Sequence, residues 1–316
     1  MHTPKVVILG GGFGGVHTFL GLKGLIKKGS IEVALVSRED YFLFTPLLHE
    51  VVSGKVRAES VGISISGFIK EKGCAFIQAE VLSVDLSRKI VNTDFGFIPY
   101  DILVVALGSS TNLFGIDGAE FIPALKTLSG AKYIQGELRG LDQHKRIAII
   151  GGGASGIEIA AELADMFALH KKERSEIFIL EASDDILPAT HPGLKEMAKR
   201  SLSKRGVRIM LHSAVSRIDG NCIELKSGRK IYFDLAIWTA GVKASDMSFL
   251  PRPQKSKSNR LRVLSTMQLQ DFSCVFALGD IADGYPMTAQ VAVSQAKIVS
   301  KNIKTIIEGN PLPFYL

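Results

Sequence analysis

Two short glycine loops, each set directly after a run of buried-strand residues, constrain this chain more than anything else in it. The first, Gly10-Gly11-Gly12-Phe13-Gly14-Gly15, follows Lys5–Leu9; the second, Gly151-Gly152-Gly153-Ala154-Ser155-Gly156, follows Arg146–Ile150. Both read GxGxxG, on Gly10, Gly12 and Gly15 and on Gly151, Gly153 and Gly156. A helix is expected after each loop, from Val16 to about Lys28 and from Ile157 to about His170, and then a second strand, at Ile31–Val36 and Ile177–Leu180. Strand, loop, helix and strand make the βαβ setting that a dinucleotide loop requires. The first glycine permits the tight turn, the second lets backbone approach a pyrophosphate, and the third lets helix and strand pack closely. The helix N-terminus aims its N–H groups at the anion. One such match means little in a chain with 31 glycines. Two copies, each in its own βαβ context, leave the glycine turns of an ordinary α/β protein as a poor alternative.

The residue closing the second strand reads the adenosine ribose. In the second copy it is Glu181, a carboxylate that accepts from ribose hydroxyls and repels a 2′-phosphate, so this site should prefer NAD(H) to NADP(H). The alternative is a solvated charge at a strand end. In the first copy the aligned residue is Ser37, followed by Arg38, which could stack on adenine or pair with a phosphate. Tyr100–Ser109 and Phe233–Val242 share a third pattern: a polar start, a buried strand and a small-residue exit. Val275–Asp280 ends in Gly279-Asp280 before another apolar helix, and an aspartate there can accept from a polyol hydroxyl. Short strands and hairpins are expected over 76–91 and 209–230, with turns at Asp219-Gly220 and Ser227-Gly228.

Composition narrows the class. With 316 residues, 46% hydrophobic and 22% charged, the chain is neither disordered nor disulfide-stapled, and it exceeds the roughly 250–300 residues at which single cores stop growing. Cys74, Cys222 and Cys274 form no CxxC pair and no metal-ligand spacing, which points to a reducing compartment and to no metal site. The most apolar segment, 147–169, is broken by Glu158, Glu162 and Asp165, and after Met1-His2-Thr3-Pro4 the chain runs directly into a strand, so neither a spanning helix nor a leader is expected. The formal charge of +7 favours anionic partners. Without basic runs interleaved with aromatics, nucleic acid is excluded from them. The densest basic stretch, Arg252, Lys255, Lys257, Arg260 and Arg262, reads as a solvated loop.

Together these residues resemble the two-dinucleotide-binding-domain flavoproteins, the glutathione-reductase-like group. Within it the chain is most similar to type II NADH:quinone oxidoreductases, through Tyr41–Leu48, Ile237–Val242 and Ala289–Ala292. The resemblance implies an α/β fold of two Rossmann-like domains, the second inserted in the first, with residues 1–112 and 264–316 binding FAD and 113–263 binding NAD(H). It implies FAD contacts from Gly10, Gly12, Phe13, Gly14, Gly15, Ser37, Arg38, Pro46, Val81, Ala106, Gly108, Gly279, Asp280 and Ala289. NAD(H) falls to Gly151, Gly153, Gly156, Glu181 and Gly241. Glu158 and Gln290 are the candidate catalytic residues. Glu158 faces either the nicotinamide–flavin junction or, as a first-turn carboxylate, the helix dipole. Gln290 opens an amphipathic helix whose inward residues should be Val291, Ile298, Ile303 and Ile307. His49 follows the Pro46-Leu47-Leu48 stretch, where the flavin could lie, although a packed or solvated histidine is the plainer reading.

The chain departs from that family in four places. Ser37 stands where an acid is usual. The pattern Ala-Gln-x-Ala-x-Gln ends here on Ser294, with Gln295 one residue on and turned roughly 140° from Gln290. The sequence stops at Pro311–Leu316, where relatives continue into a membrane-docking segment, so either the chain is shortened or membrane contact is made differently. The connection before the second copy is short. The implied reaction takes hydride from NADH and passes two electrons to a quinone. Without paired cysteines, no disulfide relays them. The alternatives are a soluble NADH-dependent reductase of an acidic iron–sulfur or rubredoxin-type protein, and a non-catalytic nucleotide-sensing relative. The expected place is the cytoplasm, with peripheral contact to an anionic membrane surface on its cytoplasmic face and a homodimer among the arrangements allowed.

Overall fold

Lys5–Leu9 lies inside a six-stranded sheet because both of its faces are apolar. Val6 and Ile8 point to one side and Val7 and Leu9 to the other, and all four are fully buried. The computed structural model describes residues 2–69, 72–139, 145–169, 175–188 and 190–312. On one side of Lys5–Leu9 run Glu32–Ser37 and Cys74–Gln78; on the other run Ile102–Val105, Phe272–Ala277 and the antiparallel edge Gln268–Leu269. The helices Phe13–Lys27 and Ala289–Ile307 cover the Val6–Ile8 face through Phe19, Leu22, Val299 and Ile303. A four-stranded sheet of Ser248–Leu250, Val81–Asp85, Ile90–Thr93 and Gly96–Pro99 covers the other, through Val84, Val91, Ile98 and Phe249. This unit comprises Met1–Leu43, Ile63–Ser110 and Lys243–Leu316.

The second unit, Phe44–Gly62 with Thr111–Val242, repeats that plan on a smaller scale. Its parallel sheet runs Arg208–Met210, Glu176–Leu180, Arg146–Ile150 and Leu235–Trp238. Three antiparallel strands, Val215–Asp219, Cys222–Leu225 and Lys230–Tyr232, cap one face, with Ile223 and Ile231 packed on Ile150 and Trp238. Their turns fall where the sequence puts them, with Gly220 and Gly228 at positive φ. The helix Ala154–Leu169 follows the second glycine loop. Corresponding strands even start alike. Asp101 Oδ2 accepts from the Lys5 N–H at 2.7 Å, and Asp234 Oδ2 accepts from the Arg146 N–H at 2.8 Å.

The units divide the chain at other points than the sequence reading does. Residues 243–263, read with the second domain, pack in the first unit, because Ser248–Leu250 pairs in parallel with Val81–Asp85 and Met247, Phe249 and Leu261 join its core. Residues 44–62, read with the first domain, belong to the second unit, where Lys55 Nζ reaches Glu162 at 2.8 Å and Gln135 Nε2 donates to the Val51 carbonyl at 2.6 Å. The inward stripe of Ala289–Ile307 is Ala292, Gln295, Ala296, Val299 and Ile303; Val291, Ile298 and Ile307 sit at its partly buried edges. The helix end expected at His170 and the terminal Pro313–Leu316 lie outside the described residues. Among the described residues, no helix is long and apolar enough to cross a membrane.

Candidate functional site

In each loop the three glycines divide the work in the same way. Gly10 and Gly151 adopt φ of +109° and +111° and donate N–H bonds to Val36 and Leu180, the last apolar residues of the neighbouring strands. A side chain is therefore strained at either position. The third glycines are fixed by packing: a Cβ on Gly15 would meet the Gly10 carbonyl oxygen at 1.9 Å, and one on Gly156 the Gly151 oxygen at 2.0 Å. The middle glycines differ. A Cβ on Gly12 or Gly153 would meet nothing within 4 Å. The fold itself needs glycine at the first and third positions, whereas at the second, glycine leaves the backbone open to solvent. Neither following helix carries an acid in its first turn, and no side chain caps Gly12, so both N-termini stay suited to an anion.

The residues beside the second glycines separate the two copies. A Cβ on Gly152 would meet Glu181 Oε2 at 2.9 Å and Ile186; a Cβ on Gly11 would meet Ser37 Oγ at 2.7 Å and Ile65. Ser37 and Glu181 thus occupy equivalent places, each backed by an isoleucine. Glu181 is 9% exposed, and its carboxylate accepts from the Gly152 N–H at 2.6 Å and the Ser183 N–H at 2.8 Å. Those bonds fix the carboxylate against the loop and leave each oxygen a further acceptor site. Arg38 is exposed and lies 3.7 Å from Glu39 and 3.9 Å from Glu80.

Around the first loop, the structure assembles a turn that local sequence pattern marks only in part. Ala106 follows Ile102–Val105, and its carbonyl oxygen stands where a Gly10 side chain would be. Gly108 adopts a φ of +65°, as does its counterpart Gly241, where Phe114 fills the space of a side chain. Asp280 Oδ2 accepts a 2.5 Å hydrogen bond from Ser109 Oγ. Gly279 donates its N–H to Gln295 Oε1 at 2.7 Å. Arg260 donates to the carbonyls of Asp280 at 3.0 Å, of Tyr285 at 2.8 Å and of Ala282, so a residue read as part of a solvated basic loop instead clamps the segment after Asp280. No local pattern marks Arg260, and Ser109 shows in the sequence only as the last residue of a small-residue exit. Gln295 is buried, whereas Gln290, the sequence candidate, is exposed along with Ser294. Ala289 begins the helix behind its cap, Thr288.

Three of the residues expected at the flavin have the following protein surroundings. The Phe13 ring stacks along His17 at 6.4 Å and meets Phe42 edge-on at 4.9 Å. Val81 pairs with Thr93 and packs on the core around Val84. Pro46 is exposed in a short turn of the second unit. In that unit Glu158 lies beyond the first turn of its helix, which removes the dipole-complementing reading. Its carboxyl, 50% exposed, stands 3.8 Å from His49 Nδ1, and His49 is 18% exposed. Partial burial pushes the Glu158 carboxyl above the usual glutamate range, with His49 pulling it back. Among the described residues no cluster could hold a metal ion.

The profile of the pyridine nucleotide-disulphide oxidoreductases matches residues 4–296. The chain belongs to that family. Membership accounts for the paired loops, but this oxidoreductase has no disulphide to cycle. Cys74, Cys222 and Cys274 are thiols, and three strands separate Cys74–Gln78 from Phe272–Ala277 within one sheet. Among curated relatives, the demethylphylloquinone reductase NdbB of Synechocystis sp. is 33% identical over 98% of this chain and 81% of its own. The type II NADH:quinone oxidoreductase Ndh of Mycobacterium tuberculosis is 29% identical over 97% and 74%. Among solved structures, NDH2 of Plasmodium falciparum in complex with NADH superimposes with a TM-score of 0.86 at 20% identity, over 96% of this chain and 83% of that one, a likeness of fold.

Proposed function

We propose that the chain is a FAD-dependent oxidoreductase that takes hydride from NADH and reduces a quinone. The observation that carries this is the pair of loops: one set of backbone bonds built twice, each with a middle glycine bordering open space, but ending in Ser37 in one unit and Glu181 in the other. The curated relatives, named for reducing demethylphylloquinone or for NADH:quinone oxidoreduction, support the acceptor.

The first unit fits FAD. Gly12 admits a pyrophosphate, the uncapped helix N-terminus offers it N–H groups, and Asp280, with one acceptor site taken by Ser109, keeps others for the polyol chain. When bound, FAD would supply two-electron chemistry that no side chain here offers. The second unit takes NADH: Gly153 and its helix receive the pyrophosphate, and Glu181 accepts from ribose while repelling a 2′-phosphate. Quinone reduction needs two protons for its two electrons. Glu158, its carboxyl raised by partial burial and 3.8 Å from His49, is the residue this reading assigns to hold one. The charge of +7 supports meeting a lipid-soluble quinone at an anionic membrane surface, on its cytoplasmic face.

The test is anaerobic. NADH should bleach the flavin of the purified protein, and a short-chain quinone should restore its colour. A bleached flavin that responds only to an acidic iron–sulfur or rubredoxin-type protein would replace the quinone with that acceptor, and a flavin that NADH leaves yellow would make the chain a nucleotide sensor.

A further inference from the structure

Phe114 is a bulky residue in a backbone conformation that suits glycine. Its φ is +53°, in the left-handed region that large side chains rarely enter, and it is 60% exposed. Its N–H donates to Asn112 Oδ1 at 2.9 Å, and Gly115 beyond it is also at positive φ. An aromatic ring held in water on strained backbone adds little to a core and points to a task at the surface.

Contacts tie Phe114 to the second glycine loop. The tip of its ring, Cζ and Cε2, lies against Gly241, in the space of a Cβ. Asn112 donates its N–H to the Gly241 carbonyl at 3.2 Å, and the Trp238 indole donates to the carbonyls of Asn112 at 3.1 Å and Ala240 at 2.7 Å. Ala240 in turn stands against Gly151, whose ideal Cβ would be 2.8 Å from its Cα, and Thr239 Oγ1 donates to the Gly151 carbonyl at 3.1 Å. The sheet order supplies a direction. Glu176–Leu180, which leads to Glu181, pairs with one side of Arg146–Ile150; Leu235–Trp238, which leads to Gly241, pairs in parallel with the other. A dinucleotide with its pyrophosphate over the central loop and its adenosine at Glu181 extends its other half toward Gly241. We propose that Phe114 is a binding residue for the nicotinamide half of NAD(H), its exposed ring packing on the nicotinamide riboside beside Gly241. The proposal rests on the reading of the second unit as the NADH site.

The measurement sets NAD+ affinity beside ADP affinity, with FAD saturating so that the first unit is filled. NAD+ has no hydride to give and leaves the flavin oxidised, and ADP keeps the adenosine and both phosphates but lacks the nicotinamide riboside. Phe114→Leu keeps an apolar side chain and removes the flat ring. NAD+ should bind about tenfold more weakly, with ADP affinity kept. Unchanged NAD+ affinity would overturn the proposal, and so would equal losses for NAD+ and ADP, since Phe114 would then only support the loop. Phe114→Tyr keeps the ring and should bind NAD+ as the parent does; a loss like that of the leucine variant would also overturn it. Should the leucine variant not fold, Phe114→Trp adds an exposed indole whose emission NAD+ should quench and ADP should not, and an equal response to both would overturn the proposal. A parent protein that binds neither NAD+ nor ADP defeats the reading of the second unit itself, before any variant is compared.

Discussion

The two glycine loops agree wherever the fold is at stake and differ where a ligand would be told apart. Gly10 and Gly151 share a positive φ and the same backbone bond, and Gly15 and Gly156 share the same near-contact with a carbonyl. Even the aspartates that open the neighbouring strands make the same bond. Beside the second glycine the likeness stops: one loop has a short hydroxyl, the other a buried carboxylate with two backbone N–H bonds. A phosphate cradle is thus a property of backbone geometry that can be repeated unchanged. On the proposed reading, choice of nucleotide resides in one side chain next to it.

The largest expected effect breaks the shared part. Gly15→Ala or Gly156→Ala forces a methyl group onto a carbonyl oxygen and should lower the unfolding free energy of the unit that carries it by about 3 kcal/mol, read by denaturant melts. Next comes the flavin side alone. Asp280→Ala removes the carboxylate that Ser109 orients, and FAD affinity should fall about a hundredfold with NADH affinity kept; full retention of FAD would count against the assignment of the first unit.

A smaller effect sharpens the contrast. Glu181→Ser copies Ser37 into the second loop and should move the NADH-to-NADPH preference about tenfold toward NADPH. The ratio is the readout because the change also unpairs the N–H groups of Gly152 and Ser183. The smallest effect concerns Asp101, whose carboxyl is held below the usual aspartate range by the Lys5 N–H, with His2 adding to it. A lowered folded-state value means stabilisation that is present above the ordinary aspartate range and lost as pH falls through the depressed one. Asp101→Asn should therefore lose about 1 kcal/mol near neutrality, a modest figure because the side chain is 41% exposed, and the loss should vanish in acid.

What the sequence revealed was local. The two βαβ units, the glycine exits at Gly108 and Gly241 and the hairpin turns at Gly220 and Gly228 each depend on a few adjacent residues, so pattern alone locates them. The unit boundaries depend on distant pairings. Nothing near Ser248–Leu250 announces that it will run beside Val81–Asp85, and nothing in 44–62 announces Glu162 or Gln135 as partners. The same holds for the site. Asp280 was legible from the strand and glycine before it, whereas Arg260 and Gln295 acquire their roles only once the 279–285 turn presents its carbonyls and N–H to them.

The most direct measurement compares the middle glycines, where the backbone lies open. Gly12→Val and Gly153→Val should both fold, since a Cβ at either position meets no protein atom within 4 Å. Equilibrium binding of FAD and of NADH to each variant should then cross. Gly12→Val should lose FAD and keep NADH, and Gly153→Val should lose NADH and keep FAD. Loss of both nucleotides from either variant, or of neither, would contradict two separate cradles.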